Sequence, residues 1–224
     1  MWKDFIQLVF PETCITCASS IFFNEKIMCA YCLQQLPKTN YHTLYDNPIK
    51  KVFSGRVNIQ NAYSFLFFKK GTKTQLILHH LKYRRKEELG IELGVMFGKD
   101  LLSQTEINFD LIVPVPLHPT KLAKRGYNQS AAFAKGMGKI LNIGVDDKSV
   151  VRTINTSTQT KKSRMERWLN VSEVFKVKDP EKFKRKHVLI VDDVITTGAT
   201  IEALANTLHT AGCEKISVAS IACA

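Results

Sequence analysis

The sequence predicts an α/β fold: a parallel sheet of about five strands with flanking helices, preceded by a small metal-stabilised module. Three observations lead to this prediction. A fully apolar run near the C-terminal end precedes two carboxylates and a helical pattern, and two Cys-x-x-Cys pairs stand near the N-terminus. The 224 residues are 45% hydrophobic and 23% charged, which is typical of a soluble globular protein.

The apolar run Val188–Val191 is the element on which the prediction is built. Four consecutive apolar residues suit a strand that is buried on both faces of a parallel sheet. We expect this strand to end at the adjacent carboxylates Asp192 and Asp193. Apolar residues then recur at helical spacing over 201–211, and Gly212 is expected to end the helix. The order predicted is strand, acidic pair, short loop and helix.

Small and hydroxyl-bearing residues fill the loop between the acidic pair and the helix. Thr and Gly at a helix N-terminus offer N–H groups, hydroxyls and the positive end of the helix dipole, which together bind phosphate. The carboxylates suit sugar hydroxyls or Mg²⁺ instead. We therefore predict a site for a ribose 5-phosphate group; the alternative is a buried strand that ends in an ordinary acidic turn. The loop residues are Thr196, Thr197, Gly198, Ala199 and Thr200.

Four cysteines form two Cys-x-x-Cys pairs: Cys14, Cys17, Cys29 and Cys32. Zn²⁺ is held tetrahedrally by four thiolates, and paired knuckles of this kind supply them. Because four protein ligands leave no position for water, we predict a structural zinc rather than a catalytic one. Redox-active or disulfide-bonded cysteines and unrelated thiols are the alternatives.

The patterns divide the chain into three parts. Residues 1–40 hold the zinc-ribbon cysteines, residues 41–106 combine a linker, a hairpin and helical flanking elements, and residues 107–224 form the main domain. In the last part, Phe109–Pro116 is predicted as the first strand of the main sheet, closed by its prolines. The smaller elements predicted are a linker over 37–48, a strand over 62–68, helices over 76–83 and 87–102, and a helix with Phe133, Met137, Ile140 and Leu141 on one face.

The chain is strongly basic, with a net charge of +12. Residues 151–187 contain eleven Lys and Arg against four Asp and Glu, whereas residues 188–224 contain one against four. Positive charge next to the acidic pair favours polyanionic partners such as pyrophosphate, nucleotides or nucleic acid. No apolar run approaches the about 20 residues of a membrane helix. We expect a cytoplasmic protein without membrane insertion.

A cluster of four cations surrounds one aromatic residue: Lys82, Tyr83, Arg84, Arg85 and Lys86. Such a cluster can contact phosphates or single-stranded nucleic acid, with a base stacked on the tyrosine ring. A solvated helix end is the alternative.

Further cations suit an oxyanion. Arg125 precedes Gly126, which places a forked donor beside backbone that an anion can approach closely. Lys161 and Arg164 belong to a basic, hydroxyl-rich stretch without apolar period, which we expect to be a mobile loop able to close over a pyrophosphate. One of Arg164 and Arg167 can equally be a solvated helix charge.

The segment Val188–Thr200 resembles the 13-residue signature of type I phosphoribosyltransferases. It has neither the GxGxxG of dinucleotide-binding folds nor the Lys of a Walker A loop. The resemblance implies a type I phosphoribosyltransferase-like fold. In it, Asp192 and Asp193 hold the ribose hydroxyls of phosphoribosyl pyrophosphate (PRPP), and residues 196–200 hold its 5-phosphate.

Over nearly its whole length the chain resembles the ComF family. That family joins an N-terminal zinc ribbon to a phosphoribosyltransferase-like domain and is linked to natural transformation, the uptake of single-stranded DNA into the bacterial cytoplasm. The features that carry the resemblance are the cysteine pairs, Val113–Pro116, Arg125–Gln129, the series Gln159, Arg167 and Asn170, and the signature itself.

The resemblance implies a Mg²⁺-dependent phosphoribosyltransferase whose acceptor the sequence does not identify. Its implied partners are PRPP, pyrophosphate, single-stranded DNA and the DNA-uptake machinery. Leu117 and His118 occupy the position where such enzymes carry a pyrophosphate loop. Arg125 is predicted to bind pyrophosphate together with them. The alternative is a non-catalytic PRPP- or nucleotide-binding protein that binds single-stranded DNA during transformation. The catalytic set is Asp192, Asp193, Arg125, Lys161 and Arg164.

Overall fold

The structure is a computed structural model that describes residues 12–21, 25, 27–44, 46–104, 106–154 and 174–224. The strands in these ranges are β1 (Ala62–Phe67), β2 (Leu111–Pro114), β3 (Val150–Arg152), β4 (Phe175–Val177), β5 (His187–Ile195) and β6 (Lys215–Cys223). The α-helices are α1 (Ala30–Gln34), α2 (Pro48–Lys51), α3 (Lys73–Tyr83), α4 (Glu87–Gln104), α5 (Pro119–Arg125), α6 (Gln129–Leu141) and α7 (Ala199–Thr210).

The main sheet has the strand order β1-β6-β5-β2, and all its pairs are parallel. The predicted α/β class is therefore confirmed, with four strands in the described ranges rather than about five. A single parallel bridge between Ile112 and Val145 extends the pairing beyond β2. Strands β3 and β4 form a separate antiparallel pair.

The first strand of the main sheet is β1, not the segment around β2. Strand β1 pairs with the C-terminal strand β6, so that Ala62 lies opposite Val218 and Phe67 opposite Cys223. The prediction of a strand over 62–68 is confirmed, but the prediction that Phe109–Pro116 opens the sheet is wrong. Local spacing identifies a strand, whereas its partner lies more than 150 residues away along the chain.

The apolar run of β5 is buried because the sheet lies between two helical layers. Val188 and Ile190 pack on the side of α7, in one core with Leu204 and Leu208. Leu189 and Val191 point to the other side, into a core with residues of α3, α4 and α6. Successive strand residues face opposite sides, so a strand covered on both faces must be apolar throughout.

Helices α4 and α6 approach each other through glycines. A Cβ on Gly94 would lie 2.1 Å from the Phe133 carbonyl oxygen, and one on Gly136 would lie 2.0 Å from the Ile91 oxygen. No larger side chain fits between backbones at such distances. This close packing fixes α6, whose N-terminus points toward the acidic pair.

The N-terminal cysteine module shares the core on the α3 side. Cys14, Met28, Cys32 and Leu36 are buried in the same cluster as the helices α3, α4 and α6. The predicted linker over 37–48 packs along β1, since the Thr39 N–H donates to the Phe65 oxygen at 3.0 Å. None of the helices in the described ranges is both long and apolar enough to cross a membrane.

Candidate functional site

The central strand β5 runs past the point where the sequence predicts its end. Its ladder with β2 stops at Val191, opposite Pro114, but its ladder with β6 continues through Asp192, opposite Ser220, to Ile195. The side of β5 that faces β2 is thus open at the carboxyl end of the sheet, where ligands of open parallel sheets bind. The predicted strand end at Val191 is wrong because β6 continues to supply hydrogen bonds.

Asp192 is held by donors from two directions. The Asp193 N–H donates to Asp192 Oδ1 at 2.8 Å, and the Ser130 hydroxyl donates to the same oxygen at 3.2 Å. Burial, followed by the charge of Asp193, nevertheless raises the pKa of Asp192 from its ordinary value of 3.8 to about 7. Two adjacent, partly buried carboxylates are stabilised by a nearby cation or hydroxyl donor. A diol or Mg²⁺ site requires this property.

Ser130 is positioned by the start of α6. Asn128 caps this helix, because its Oδ1 accepts from the Ser130 N–H at 3.1 Å. The Asn128 Nδ2 donates to the Val115 oxygen at 2.9 Å, just beyond β2. The end of β2 and the beginning of α6 are thereby joined, and the buried Ser130 hydroxyl is directed at the acidic pair.

Asp193 pairs with a cation from another part of the chain. The Lys82 Nζ lies 2.9 Å from Asp193 Oδ2, and both side chains are mostly buried. Lys121 is also in electrostatic range: burial lowers its pKa, the charges of Arg152, Arg125 and Lys82 lower it further, and Asp193 raises it. Burial also lowers the pKa of Arg152, against the effect of Asp192. Cations therefore surround the acidic pair.

The loop after β5 is fixed at Gly198. This residue has φ +73, and a Cβ there would lie 2.7 Å from Phe53 Cε1, so glycine satisfies both the backbone conformation and the contact. The Arg56 Nη1 donates to the Thr197 oxygen at 2.6 Å, and its Nη2 pairs with Glu202 of α7. The segment after α2 thus supports the loop from behind.

The remaining loop residues face outward. Thr196, Thr197 and Ala199 are exposed, and Thr200 is partly buried in the first turn of α7. Exposed hydroxyls and N–H groups at the beginning of a 12-residue helix can bind a phosphate. The predicted order of loop and helix is confirmed, and the helix ends before Gly212 as expected.

The predicted pyrophosphate loop lies directly after β2. Leu117 is partly buried, and His118 caps α5, because its Nδ1 accepts from the Thr120 N–H at 3.3 Å. Arg125, the last residue of α5, donates through Nη1 to Gln129 Oε1 at 2.6 Å. A role in binding pyrophosphate remains a prediction for all three candidate residues.

Two predicted site residues, Lys161 and Arg164, lie outside the described residues, as does the series Gln159, Arg167 and Asn170. Arg152, at the beginning of this basic stretch, is described: its Nε donates to the Ile154 oxygen at 3.3 Å, and its guanidinium carbon lies 5.4 Å from the centre of the Phe175 ring.

The four N-terminal cysteines form one cluster that can hold a metal ion, with all Sγ atoms within 4.8 Å of one another. The Cys17 and Cys29 sulfurs are 3.7 Å apart, and a tetrahedral zinc with Zn–S bonds of about 2.3 Å spaces its sulfurs by about 3.8 Å. Burial raises the pKa of Cys14, but hydrogen bonds from the Thr16 hydroxyl and three backbone groups outweigh it and lower the pKa to about 6. These residues fit zinc, as the sequence predicts.

The residues of the basic cluster at the end of α3 lie in two different environments, the candidate site and the exposed surface. Lys82 turns toward Asp193, whereas Tyr83 is 63% exposed and its ring centre lies 4.9 Å from that of His79. Arg84, Arg85 and Lys86 are exposed. Lys82 therefore belongs to the candidate site, and the other residues form a surface beside it.

The sequence alone indicates no role at the site for Ser130 or Arg56. An Asn-Gln-Ser start of α6 predicts a helix cap, but nothing in the spacing places Ser130 opposite Asp192. Arg56 lies in a turn that the sequence does not connect to α7. Both contacts depend on tertiary packing between distant segments.

Parts of this chain are similar to known proteins. Residues 127–223 match the phosphoribosyl transferase domain family. DNA utilization protein YhgH of Escherichia coli K12 is 31% identical over 146 residues, which cover 63% of this chain and 63% of that protein. Competence protein F of Haemophilus influenzae is 34% identical over 114 residues, 50% of each chain. The match thus spans less than two thirds of the length of both relatives. Glutamine PRPP amidotransferase from B. subtilis overlaps 59% of this chain and 26% of its own, with TM-score 0.43 and 19% identity.

Proposed function

We propose that this chain is a Mg²⁺-dependent, PRPP-binding phosphoribosyltransferase. Support comes from its phosphoribosyl transferase domain and from its homologues DNA utilization protein YhgH and Competence protein F, which agree with its resemblance to the ComF family. The observation that carries this proposal is the acidic pair Asp192 and Asp193 at the open side of β5, with Asp193 five residues before Gly198, which caps the start of α7.

In the proposed complex, each part of PRPP meets a group of fitting chemistry. Asp192 and Asp193 would accept hydrogen bonds from the ribose diol, and their carboxylate oxygens would hold Mg²⁺. Residues 196–200 bind the 5-phosphate through hydroxyls and N–H groups. The pyrophosphate lies toward Leu117, His118 and Arg125.

The proposed reaction is displacement at the anomeric carbon. The bond from this carbon to the pyrophosphate oxygen breaks and its electron pair stays with the pyrophosphate, while a nitrogen of the acceptor forms the new bond and releases its proton to water. The transition state resembles an oxocarbenium ion, so the protein contributes position and charge rather than a covalent intermediate. Arg125, with Lys161 and Arg164, is proposed to stabilise the departing pyrophosphate together with Mg²⁺.

Calorimetric titration with PRPP and Mg²⁺ tests binding directly. We expect heat from the wild type that depends on Mg²⁺, and about a 100-fold loss of affinity in Asp193→Asn, because the variant loses a charged partner of diol and metal. Asp110→Asn removes an exposed carboxylate at the amino end of β2, the opposite end of the sheet, and serves as the matched control. No heat from the wild type would contradict the proposal.

Catalysis is tested by pyrophosphate release. Candidate nitrogen acceptors are screened with PRPP and Mg²⁺, with and without an oligonucleotide. We expect one class of acceptor to release pyrophosphate and Asp192→Asn to abolish the release. Binding of PRPP without release for any acceptor would favour the non-catalytic alternative.

That alternative, a PRPP-binding protein that binds single-stranded DNA during transformation, is favoured by the surface beside the site. Tyr83 is exposed, its ring lies against His79, and cations follow it along the chain. Exposed aromatic rings among cations are suited to stacked bases and phosphates. On this reading the protein acts in the cytoplasm with the DNA-uptake machinery.

Binding of a fluorescent oligothymidine tests this surface. We expect affinity that falls steeply with salt and is about tenfold weaker in Tyr83→Ala, since stacking contributes about 1–3 kcal/mol per base. Tyr31→Ala removes a comparably exposed ring of the cysteine module and is the control. Equal affinity of both variants and the wild type would exclude Tyr83 as a stacking platform.

A further inference from the structure

Lys82 reaches the acidic pair from outside the segment that matches the phosphoribosyl transferase domain. It is the residue before the last in α3, and the domain match begins at residue 127. Its Nζ lies 2.9 Å from Asp193 Oδ2, and the side chains are 25% and 20% exposed. An ion pair this sheltered interacts more strongly than one on the surface.

The position of Lys82 is fixed by its neighbours in α3. Leu78 and Leu81 are buried in the core beneath the helix. The Tyr127 hydroxyl donates to the Leu81 oxygen at 2.6 Å, and so joins the end of α3 to the first residue of the matched domain. The packing of α3 therefore positions the Lys82 ammonium at the site.

Positive charge exceeds negative charge around this ion pair. Lys82, Lys121, Arg125 and Arg152 share one region with Asp192 and Asp193, as the mutual effects on Lys121 and Arg152 show. Arg125 donates to the neutral Gln129. Among the described residues, cations thus outnumber carboxylates in this region, which favours an anionic ligand.

We propose that Lys82 is a diphosphate-binding residue, which pairs with Asp193 in the free protein and with the pyrophosphate group when PRPP enters. This inference rests on the proposed function and extends it to a residue of α3. A lysine ammonium has three donors on a flexible stem, so it can keep one contact with Asp193 while it takes up phosphate oxygens. Lys82 thus senses the pyrophosphate, whereas the acidic pair binds the ribose.

Calorimetric titration of Lys82→Met with two separate probes, inorganic pyrophosphate and ribose 5-phosphate, tests this division, with Mg²⁺ present in both. We expect pyrophosphate affinity to fall about tenfold, equivalent to about 1.4 kcal/mol, and ribose 5-phosphate affinity to stay within twofold or to rise. Lys86→Met is the matched control, since Lys86 is an exposed cation of the same cluster. Lys82→Arg should restore most of the pyrophosphate affinity, and the melting temperature of each variant is measured alongside.

Two results would overturn the inference. If Lys82→Met weakens both probes by the same factor, Lys82 only holds Asp193 in place. If it weakens neither, or if Lys86→Met has the same effect, Lys82 does not bind the diphosphate. Should Lys82→Met fold poorly, the Lys82→Arg protein decides, because loss of pyrophosphate affinity despite the retained charge would contradict a simple charge contact.

The outcome is separable from that of the proposed function. A wild type that binds pyrophosphate through Lys82 but gives no heat with PRPP contradicts the proposed function and leaves Lys82 as a diphosphate ligand. A wild type that binds PRPP as tightly as Lys82→Met does retains the proposed function and refutes the role of Lys82.

Discussion

The Ser130 hydroxyl donates to Asp192 Oδ1 across 3.2 Å and so joins the start of α6 to the end of β5. This hydrogen bond stabilises the ionised Asp192 carboxylate and therefore lowers its pKa. In Ser130→Ala we expect the pKa of Asp192 to rise further and PRPP affinity at neutral pH to fall about three- to tenfold, since one charge-assisted hydrogen bond is lost.

Calorimetry of Ser130→Ala as a function of pH checks this expectation. The loss of PRPP affinity relative to the wild type should shrink at high pH, where Asp192 is ionised in both proteins. Ser103→Ala is the control, because Ser103 bonds only to its own helix in the described contacts. A deficit that is independent of pH would mean that Ser130 acts on the shape of the site rather than on the charge of Asp192.

The raised pKa of Asp192 predicts how stability depends on pH. Its pKa is about 7 in the folded protein and near its ordinary value of 3.8 in the unfolded chain. Between about pH 4 and 7 the folded state holds a proton that the unfolded chain has lost, so the free energy of unfolding falls as the pH rises through this window. Above pH 7 both states are ionised, and the contribution becomes constant.

Asp192→Asn should remove this slope. We expect denaturant titrations to show the variant more stable than the wild type at pH 8, and the difference to shrink toward pH 4. Ionisation of Asp192 over the same pH range also predicts that the PRPP affinity of the wild type rises between pH 6 and 8, since the diol and Mg²⁺ require the carboxylate. Parallel stability curves for both proteins would contradict the assignment of a raised pKa to Asp192.

The sequence predicts the central element well because its signal is local. The run Val188–Val191 must be apolar to lie between two helical layers, and the Thr-Gly loop must be small to begin α7 at Gly198. The sequence predicts the end of β5 too early, because a strand ends where its neighbours end. The pairing continues because residues of β6 from Ser220 to Cys223 lie opposite Asp192 to Ile195.

The same distinction applies to the candidate site. Asp192 and Asp193 are adjacent and follow a recognisable strand, so sequence finds them. The sequence places Lys82 in a cluster that can contact phosphates or single-stranded nucleic acid, with a solvated helix end as the alternative, and does not connect it to the acidic pair. Its contact with Asp193 depends on the packing of α3 and on the Tyr127–Leu81 hydrogen bond. Residue spacing within one segment does not encode such contacts.

The glycine contact between α4 and α6 predicts a strong effect of a single methyl group. In Gly94→Ala the new Cβ would lie 2.1 Å from the Phe133 oxygen, which is backbone and cannot rotate away. Separation of the helices should cost about 3 kcal/mol or more of unfolding free energy, at the upper end of overpacking effects. Denaturant unfolding measures the loss. Gly144→Ala is the matched control, since its Cβ would find only Leu111 Cδ1 at 3.9 Å. Similar losses in both variants would refute the close contact.

The cysteine cluster predicts one tightly bound zinc per chain, and its removal should destabilise the core. Cys14 and Cys32 are buried beside Met28 and Leu36, so loss of the metal leaves thiols without ligand contacts in the packed cluster. We expect metal analysis to give one zinc in the wild type, and Cys17→Ser to lose it and to melt at least about 5 °C lower, which corresponds to about 2 kcal/mol for a chain of this size. Cys213→Ala lies outside the cluster and should keep the metal. A wild type without zinc, in which the four thiols are oxidised to disulfides, would instead support the redox alternative.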